Sequence, residues 1–257
     1  MPLPLFALID RWRVPAPDAA KVAWVRNTTY AHRGLHGDGV PENSPSAFAA
    51  AIERGLGIEC DVQRTSDGQG VIFHDWDLDR MTVGAGQVAK RPVSDLAAMR
   101  LKGSDECIPT LPAFLDLVAG RVPLLIEIKS RKDMRIVPLC LAVRRALEGY
   151  RGPHAIISFD PRIARWFRRH SPGTLTGLSF TDKNDRALSG AFRRRLAFWH
   201  ARAHFITYDI GDLPNGFAKA QRKRGVPLVT WTVKSREQRE RAIELADAYI
   251  AEGQGLA

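Results

Sequence analysis

The chain alternates short apolar runs with longer amphipathic stretches, and this rhythm constrains the fold more than any other feature of the sequence. The apolar runs are typical of strands: TTYAHRG, GIECDVQ, GVIFHD, VPLLIEIKS, HAIISF, LTGLSF, HFITYDI, VPLVTWTV and AYIAE. Helical periodicity fills most of the gaps between them, which predicts βαβ units and a parallel sheet. GVIFHD is joined to the preceding strand by the tight SDGQG turn, so it is interpreted as a hairpin extension of that strand. Eight strand–helix units remain, which is the number in an α/β protein of the (β/α)8, or TIM, barrel class.

Two segments stand outside this rhythm. Residues 76–108 are polar and turn-rich, and they predict a small insertion between the second strand and its helix. Residues 1–26 predict an N-terminal extension that packs on the barrel, although contact of this segment with a membrane surface is left open. The apolar side chains available for either contact are Leu5, Phe6, Ile9 and Trp12. Residues 27–257 are therefore expected to form a single barrel domain, with the insertion inside it.

Composition is typical of a globular protein with a sizeable core. Hydrophobic residues make up 45% of the 257 and charged residues 26%. No stretch approaches about 18 consecutive apolar residues, so a membrane-spanning helix is not predicted. Cys60, Cys107 and Cys140 show no paired spacing, which favours reduced thiols and a cytoplasmic location.

The net charge of +10 gathers in basic clusters of the second half, such as RIARWFRRH, FRRRLAFWHAR and QRKRG. Such clusters are typical either of solvated helix faces or of a field that attracts anionic partners. The sequence contains no zinc-finger spacing, RNA-binding sheet motif or low-complexity basic tail. Nucleic acid is therefore not the expected partner.

Ionisable side chains concentrate at the ends of the first predicted strands, where a barrel places its chemistry. They are His32 and Arg33, Glu59 and Asp61, His74 and Asp75, and Glu127 and Lys129. Glu59 and Asp61 are two residues apart, so both carboxylates face the same side of a strand. With Glu127 they would make an oxygen-rich site suited to Mg²⁺ or Ca²⁺. Spacing alone leaves an alternative open, in which the carboxylates pair with Arg33, Arg64 and Lys129 in a structural salt-bridge network.

The two histidines favour the functional interpretation. His32 and His74 both stand beside the predicted acidic cluster, and imidazole is the side chain best matched to proton transfer near neutral pH. A lone histidine would more often be a core residue with its hydrogen bonds satisfied. Two of them at strand ends around one acidic cluster indicate acid–base chemistry.

Six motifs in order resemble the glycerophosphodiester phosphodiesterases. They are HRG, PENSPSAFAAAIERG, IECDVQRTSDGQGVIFHD, LDRMTVGAGQV, IPTLPAFLDLV and LLIEIKS. The resemblance is dense from residue 30 to 130 and continues more weakly through ISFD at 157–160 and WTV at 231–233. It implies a metal-dependent barrel hydrolase with one divalent cation, Mg²⁺ or Ca²⁺.

The resemblance also implies a role for each matching residue. Glu59, Asp61 and Glu127 would be the metal ligands. His32 and His74 would be the acid–base pair, and we favour His32 as the base and His74 as the acid. The remaining positions are Arg33 and Lys129 as phosphate contacts, Trp231 on the alcohol side of the substrate, and Glu42 and Asn43 as supports of the first loop. For Trp231 the alternative of a barrel-core aromatic stays open.

Two positions depart from the family's pattern. Ser44 replaces the usual threonine after PEN, and either residue can cap the helix that follows. The last strand lacks the family's Thr-Asp and Pro, and Glu252 stands near the missing aspartate. This puts substrate contacts at the last strand in doubt but leaves the metal site intact.

The expected function is metal-dependent hydrolysis of a small anionic glycerophosphodiester to an alcohol and glycerol 3-phosphate. One alternative keeps the fold and the metal but takes a lysophospholipid, as a lysophospholipase D does, with peripheral contact to a membrane. The other alternative is a non-catalytic barrel that binds an anionic ligand. That alternative is disfavoured because every expected metal and proton-transfer position is present.

Overall fold

The computed structural model describes residues 4–183 and 188–257. The chain falls into two compact units, which are called here the first unit (Tyr30–His154) and the second unit (Met1–Thr29 with Ala155–Ala257). Residues 1–3 and the side chain of Leu5 belong to the predicted N-terminal extension and lie outside the described residues.

Helices and strands alternate along the described chain as the apolar rhythm predicts. The helices are α1 (Pro4–Arg13), α2 (Ala19–Arg26), α3 (Pro45–Glu53), α4 (Val93–Ala97), α5 (Leu111–Val118), α6 (Val137–Ala146), α7 (Pro161–His170), α8 (Leu188–Ala201), α9 (Gly216–Lys223) and α10 (Arg236–Leu245). The strands are β1 (Thr29–His32), β2 (Gly57–Arg64), β3 (Gly70–Ile72), β4 (Leu124–Ile128), β5 (His154–Ser158), β6 (Leu175–Phe180), β7 (Phe205–Asp209), β8 (Leu228–Val233) and β9 (Ala248–Ala251). With β3 as the hairpin extension, eight strands remain, and the predicted (β/α)8 barrel class is confirmed.

In the first unit, β2 is the central strand. It pairs in parallel with β1 on one side and with β4 on the other, while β3 runs antiparallel to it as the Asp-Gly turn predicts. All of β2 up to Gln63 is buried, as expected for a strand covered on both faces. The hairpin strand is shorter than predicted, because β3 ends at Ile72 and His74 follows in the connection beyond it.

Residues 76–108 lie between β3 and α5. Although their composition is polar, they bury several apolar side chains. They contain α4 and a short 3₁₀ turn at Val88–Lys90. Leu78, Val88 and Leu96 are fully buried and pack with residues of β3 in a small apolar cluster. The segment is therefore anchored by its own hydrophobic contacts, which fix the chain that follows His74.

In the second unit, β5 to β9 pair in parallel, each with the next along the chain. Helix α2 was not among the predicted helices, and it lies inside the segment interpreted as an extension. Asp18 starts it by accepting the backbone amide hydrogen of Ala20. Among the described residues, no helix combines the length and the apolar character needed to cross a membrane.

Candidate active site

The loop after β1 is shaped by backbone conformations that most residues avoid. Arg33 and Asn43 both have φ of 55°, in the left-handed region, although neither is glycine. The Asn43 amide donates to the Arg33 carbonyl at 2.9 Å, and the Arg33 amide donates to Glu59 Oε2 at 3.1 Å. Between them, Gly34 passes so close to Ala47 of α3 that a Cβ would stand 2.9 Å from it. This loop therefore carries strain that the surrounding contacts hold in place.

Helix α3 begins where the loop ends, for the reason expected from the sequence. Ser44 is extended, and its hydroxyl accepts the amide of Ala47, while Pro45 takes the first helical position. Ser46 in turn donates through its amide to Glu106 at 2.8 Å. The replacement of threonine by Ser44 thus leaves the cap intact.

Three carboxylates converge beside this loop. Glu59 and Asp61 lie on β2 and are buried, and Glu127 lies on β4. The register places Asp61 opposite Glu127, so their side chains are neighbours on one face of the sheet. One oxygen of each of the three carboxylates lies within 4.8 Å of the others. The structure therefore brings the three predicted metal ligands together.

Two cations border this cluster. Lys129 Nζ is 2.9 Å from Glu127 Oε1 and 3.1 Å from Asp61 Oδ1, and Arg33 Nε is 3.4 Å from Asp61 Oδ2. Burial alone would raise the pKa of Asp61, but Lys129 and Arg33 hold it well below its usual range. Burial would likewise lower the pKa of Lys129, but Asp61 and Glu127 raise it above its usual value. Asp61 therefore stays ionised beside a charged lysine.

The remaining two carboxylates are not fully neutralised by these cations. Burial, and then repulsion from Asp61 and Glu127, raises the pKa of Glu59 well above its usual value. Burial also raises the pKa of Glu127 in spite of Lys129. The salt-bridge alternative accounts for Arg33 and Lys129 but leaves this repulsion in place. Three hard carboxylate donors that share only two bordering cations fit a divalent cation such as Mg²⁺ or Ca²⁺.

Asn43 and Glu42 support the cluster from the loop. The Asn43 side-chain amide donates to Asp61 Oδ2 at 3.0 Å, and Arg33 Nη1 donates to Glu42 Oε1 at 2.8 Å. Asn43 thereby orients one carboxylate of the cluster directly. The supporting roles expected for Asn43 and Glu42 stay predictions.

His74 is held by a network that the sequence analysis did not foresee. Its Nδ1 lies 2.7 Å from Asp75 Oδ1. Arg80 donates to both oxygens of Asp75 and also to Glu42, with Nη2 2.7 Å from Glu42 Oε1. These bonds form a continuous path from His74 through Asp75, Arg80 and Glu42 to Arg33. Arg80 lies in the motif LDRMTVGAGQV, but no role was predicted for it from the sequence.

Charge, hydrogen bonding and burial shift the pKa values of Asp75 and His74 in this network. Hydrogen bonding from Arg80, and then from His74, holds the pKa of Asp75 at about 2. Burial lowers the pKa of His74, and the charge of Asp61 offsets this only in part. From β2, buried Gln63 donates to the carbonyls of Phe73 and His74, which fixes the backbone that carries the imidazole.

His32 is the last residue of β1 and lies opposite Glu59 in the register of β1 and β2. It is half-buried, and its ring centroid is 6.4 Å from that of His36. His36 is also half-buried and packs toward His32. His170 lies on the surface, where its ring contacts Trp166.

Trp231 and Glu252 belong to the second unit. Trp231 is half-buried near the end of β8 and meets Phe159 edge to face, with ring centroids 5.5 Å apart. Glu252 pairs with Lys234 at 2.6 Å. The substrate role of Trp231 stays a prediction.

Comparison with known proteins gives a consistent result. The glycerophosphoryl diester phosphodiesterase family matches residues 32–251. A glycerophosphodiester phosphodiesterase of Caldanaerobacter subterraneus subsp. tengcongensis is 30% identical over 230 residues, which cover 86% of this chain and 91% of the relative.

Two crystal structures share the fold. A phosphodiesterase of Oleispira antarctica, in complex with the product sn-glycerol-3-phosphate, aligns with a TM-score of 0.75 and 22% identity over 87% of this chain and 92% of that one. A glycerophosphodiester phosphodiesterase of Parabacteroides distasonis aligns with a TM-score of 0.72 and 21% identity, again over 87% and 92%.

Proposed function

Because the chain belongs to the glycerophosphoryl diester phosphodiesterase family, we propose that it hydrolyses glycerophosphodiesters to an alcohol and glycerol 3-phosphate with the aid of one divalent cation. The observation that carries the proposal is the convergence of Glu59, Asp61 and Glu127 beside Arg33 and Lys129. A buried group of carboxylates and cations at strand ends is suited to a charged phosphoryl group and its metal.

Glu59, Asp61 and Glu127 would hold the cation. When bound, the cation neutralises the charge that grows on the phosphate oxygens as the attacking oxygen approaches. Arg33 and Lys129 bind the phosphate from the same region and add to this stabilisation. Asn43 keeps Asp61 oriented by its hydrogen bond.

His32 and His74 move the protons. His32 removes the proton of the attacking oxygen, and His74 protonates the leaving alkoxide. Asp75 accepts from Nδ1 of His74, so Nε2 is the atom left for proton transfer. The attacker is either water or the neighbouring hydroxyl of the glycerol, and the second route would release a cyclic phosphate on the way.

The proposal also covers the domain organisation and the location of the protein. Residues 27–257 act as one catalytic domain, and the segment before them is an extension. Cys60, Cys107 and Cys140 are free, and a cytoplasmic location is part of the proposal.

The proposed activity predicts a metal-dependent product. With Mg²⁺ or Ca²⁺, the purified chain should release glycerol 3-phosphate from glycerophosphocholine, and EDTA should abolish the release until cation is restored. Product is measured by an enzyme-coupled assay for glycerol 3-phosphate. A lysophospholipid assayed in parallel tests the lipid alternative, which requires the higher rate on that substrate. Absence of product with both cations, or indifference to EDTA, contradicts the proposal.

Arg80→Gln is expected to lower kcat by about 10- to 100-fold, the range found when an outer-shell partner of a catalytic group is lost. Arg80 touches neither the proposed ligands nor the reacting atoms, and it acts by holding Asp75 behind His74 and Glu42 behind Arg33. The change should also shift the pH dependence of kcat, because the pKa values of Asp75 and His74 depend on this network. The measurement is the pH profile of kcat and KM.

Arg100→Gln is the matched control for Arg80. It removes an exposed ion pair with Asp105 on the same segment and should leave kcat and its pH profile unchanged. Arg80→Lys should recover part of the loss. An Arg80→Gln enzyme with the kcat and pH profile of the wild type would refute the positioning role.

A further inference from the structure

Helix α1 is held against the other helices of the second unit by polar contacts. Asp10 is buried, and it accepts from Trp199 Nε1 of α8 at 2.7 Å and from Gln221 Nε2 of α9 at 2.8 Å. Arg202, just after α8, donates to the carbonyl of Arg13 at 3.0 Å. The helix therefore has one fixed orientation, and the face that it turns outward is part of the folded surface.

The outward face of α1 carries exposed apolar side chains, and so does the neighbouring helix α8. Leu8 and Trp12 lie one turn apart on α1 and are 65% and 73% exposed. On α8, Phe192 and Leu196 are likewise one turn apart and are 51% and 46% exposed. The described residues contain eight large apolar side chains with this degree of exposure, and four of them lie on these two helices. Such concentration marks an interaction surface rather than scattered surface residues.

The same surface is strongly basic. Helices α1, α7 and α8 together carry nine arginines and a single acidic residue, the buried Asp10. Of these arginines, five are exposed, namely Arg11, Arg13, Arg168, Arg169 and Arg193, and the guanidinium of Arg13 stacks on Trp12 at 4.6 Å. A basic helix that shows tryptophan and leucine to solvent is typical of segments that lie in a membrane interface.

A second group of cations continues the basic surface at the ends of α7 and α8. Arg168 Nη1 is 2.7 Å from His204 Nε2. Burial, and then the charge of Arg202, lowers the pKa of Arg168. Burial, and then the charge of Arg168, lowers the pKa of His204 to about 4. Near neutral pH His204 is therefore uncharged and accepts from Arg168, so the charges here are the neighbouring guanidinium groups of Arg168 and Arg202, which an external anion would balance.

Arg202 connects the two groups. Its side chain bonds the end of α1, and its charge acts on Arg168 at the end of α7. Arg202 therefore lies close to both the end of α1 and the end of α7 in the second unit.

We propose that α1 and the exposed parts of α7 and α8 form a docking surface for a membrane that contains anionic phospholipids. Leu8, Trp12 and the exposed side chains of α8 enter the boundary between headgroups and acyl chains. The arginines contact the phosphate headgroups, and charge complementarity selects anionic over zwitterionic lipid. The proposal is independent of the hydrolytic activity, because it uses none of the residues assigned to that site.

The test is sedimentation of the purified chain with vesicles. The wild type should bind vesicles that contain phosphatidylglycerol and not vesicles of phosphatidylcholine alone, and high salt should weaken binding. Leu8→Ser/Trp12→Ser should weaken it at least about tenfold, from the lost burial of two large apolar side chains. Arg11→Gln/Arg13→Gln/Arg169→Gln should weaken it on the order of 100-fold, from three lost interfacial charges.

Matched controls remove equal chemistry elsewhere. Val83→Ser/Ile243→Ser removes two exposed apolar side chains, and Arg100→Gln/Arg144→Gln/Arg236→Gln removes three exposed charges. Both should bind as the wild type does. Unchanged thermal unfolding and hydrolysis of a water-soluble substrate would show that the variants fold. Equal binding to both lipid compositions, wild-type binding by both test variants, or binding of an RNA oligonucleotide but of neither vesicle would each overturn the proposal.

Discussion

Replacing Glu59 with glutamine is expected to stabilise the cation-free protein and to lower its activity in the presence of cation by at least about 100-fold. Loss of a residue that only supports a metal ligand costs up to about 100-fold, and loss of a ligand itself should cost at least as much. Burial and the charges of Asp61 and Glu127 raise the pKa of Glu59, so its ionised form works against the fold. The neutral amide removes that repulsion and keeps an oxygen for the Arg33 amide. The same change deletes one of the three proposed ligands.

The sign of the pH dependence follows from the raised pKa. Below the unfolded-state pKa both states hold the proton, so the repulsion is absent. As pH rises through the higher folded-state pKa, the folded wild type must ionise Glu59 against its neighbours and loses stability. The stability gained by Glu59→Gln should therefore grow from acidic to neutral pH. Thermal unfolding in EDTA across this range measures it.

Added Mg²⁺ or Ca²⁺ should raise the Tm of the wild type and have little effect on Glu59→Gln, because ligand binding stabilises only a fold that holds the ligand. Glu148→Gln is the control, since Glu148 makes only a distant surface pair with Arg144. Two results would count against the metal site: a variant no more stable than the wild type in EDTA, or an equal rise in Tm with cation.

Replacing either histidine by alanine is expected to reduce kcat by about 10²- to 10⁴-fold on a glycerophosphodiester, the range of general acid–base catalysis. The two variants should differ on a p-nitrophenyl phosphodiester, whose leaving group departs without a proton. His74→Ala should recover most of its activity on that substrate, because the proposed acid is no longer needed. His32→Ala should remain impaired, because the attacking oxygen still needs a base. Steady-state kcat on both substrates measures the difference.

His170→Ala provides the control, because His170 is exposed on α7 and lies outside the residues assigned to the reaction. Recovery of His32→Ala in place of His74→Ala would reverse the two roles. Wild-type rates in both variants would remove the histidines from the mechanism altogether.

Much of this fold follows from local periodicity. The alternation of apolar runs and amphipathic stretches predicted the strands and most helices, because each pattern is set by neighbours along the chain. It also placed Glu59 and Asp61 on one face of β2, since side chains alternate along any strand. Helix α2 was not predicted because it is short and its apolar residues do not fall on one face of the helix.

Other parts of the site depend on contacts between distant residues and could not be predicted in this way. The pairing of Asp61 with Glu127 is a matter of register between two strands more than 60 residues apart. The link from Arg80 to Asp75 and Glu42 depends on how the segment after β3 folds back on the first loop. The left-handed backbone of Arg33 carries no sequence signal, because such strain is imposed by the surrounding structure.

Nine of the ten side chains assigned to the reaction lie between His32 and Lys129, within the first unit, and Trp231 is the exception. Such confinement matters for how enzymes of this kind diversify. On the proposed assignment, a single continuous fragment of the gene carries all nine of these side chains, so recombination with a crossover downstream of it would pass them on together. The proposed alcohol contact, Trp231, would then be exchanged separately and would leave those nine side chains unaltered.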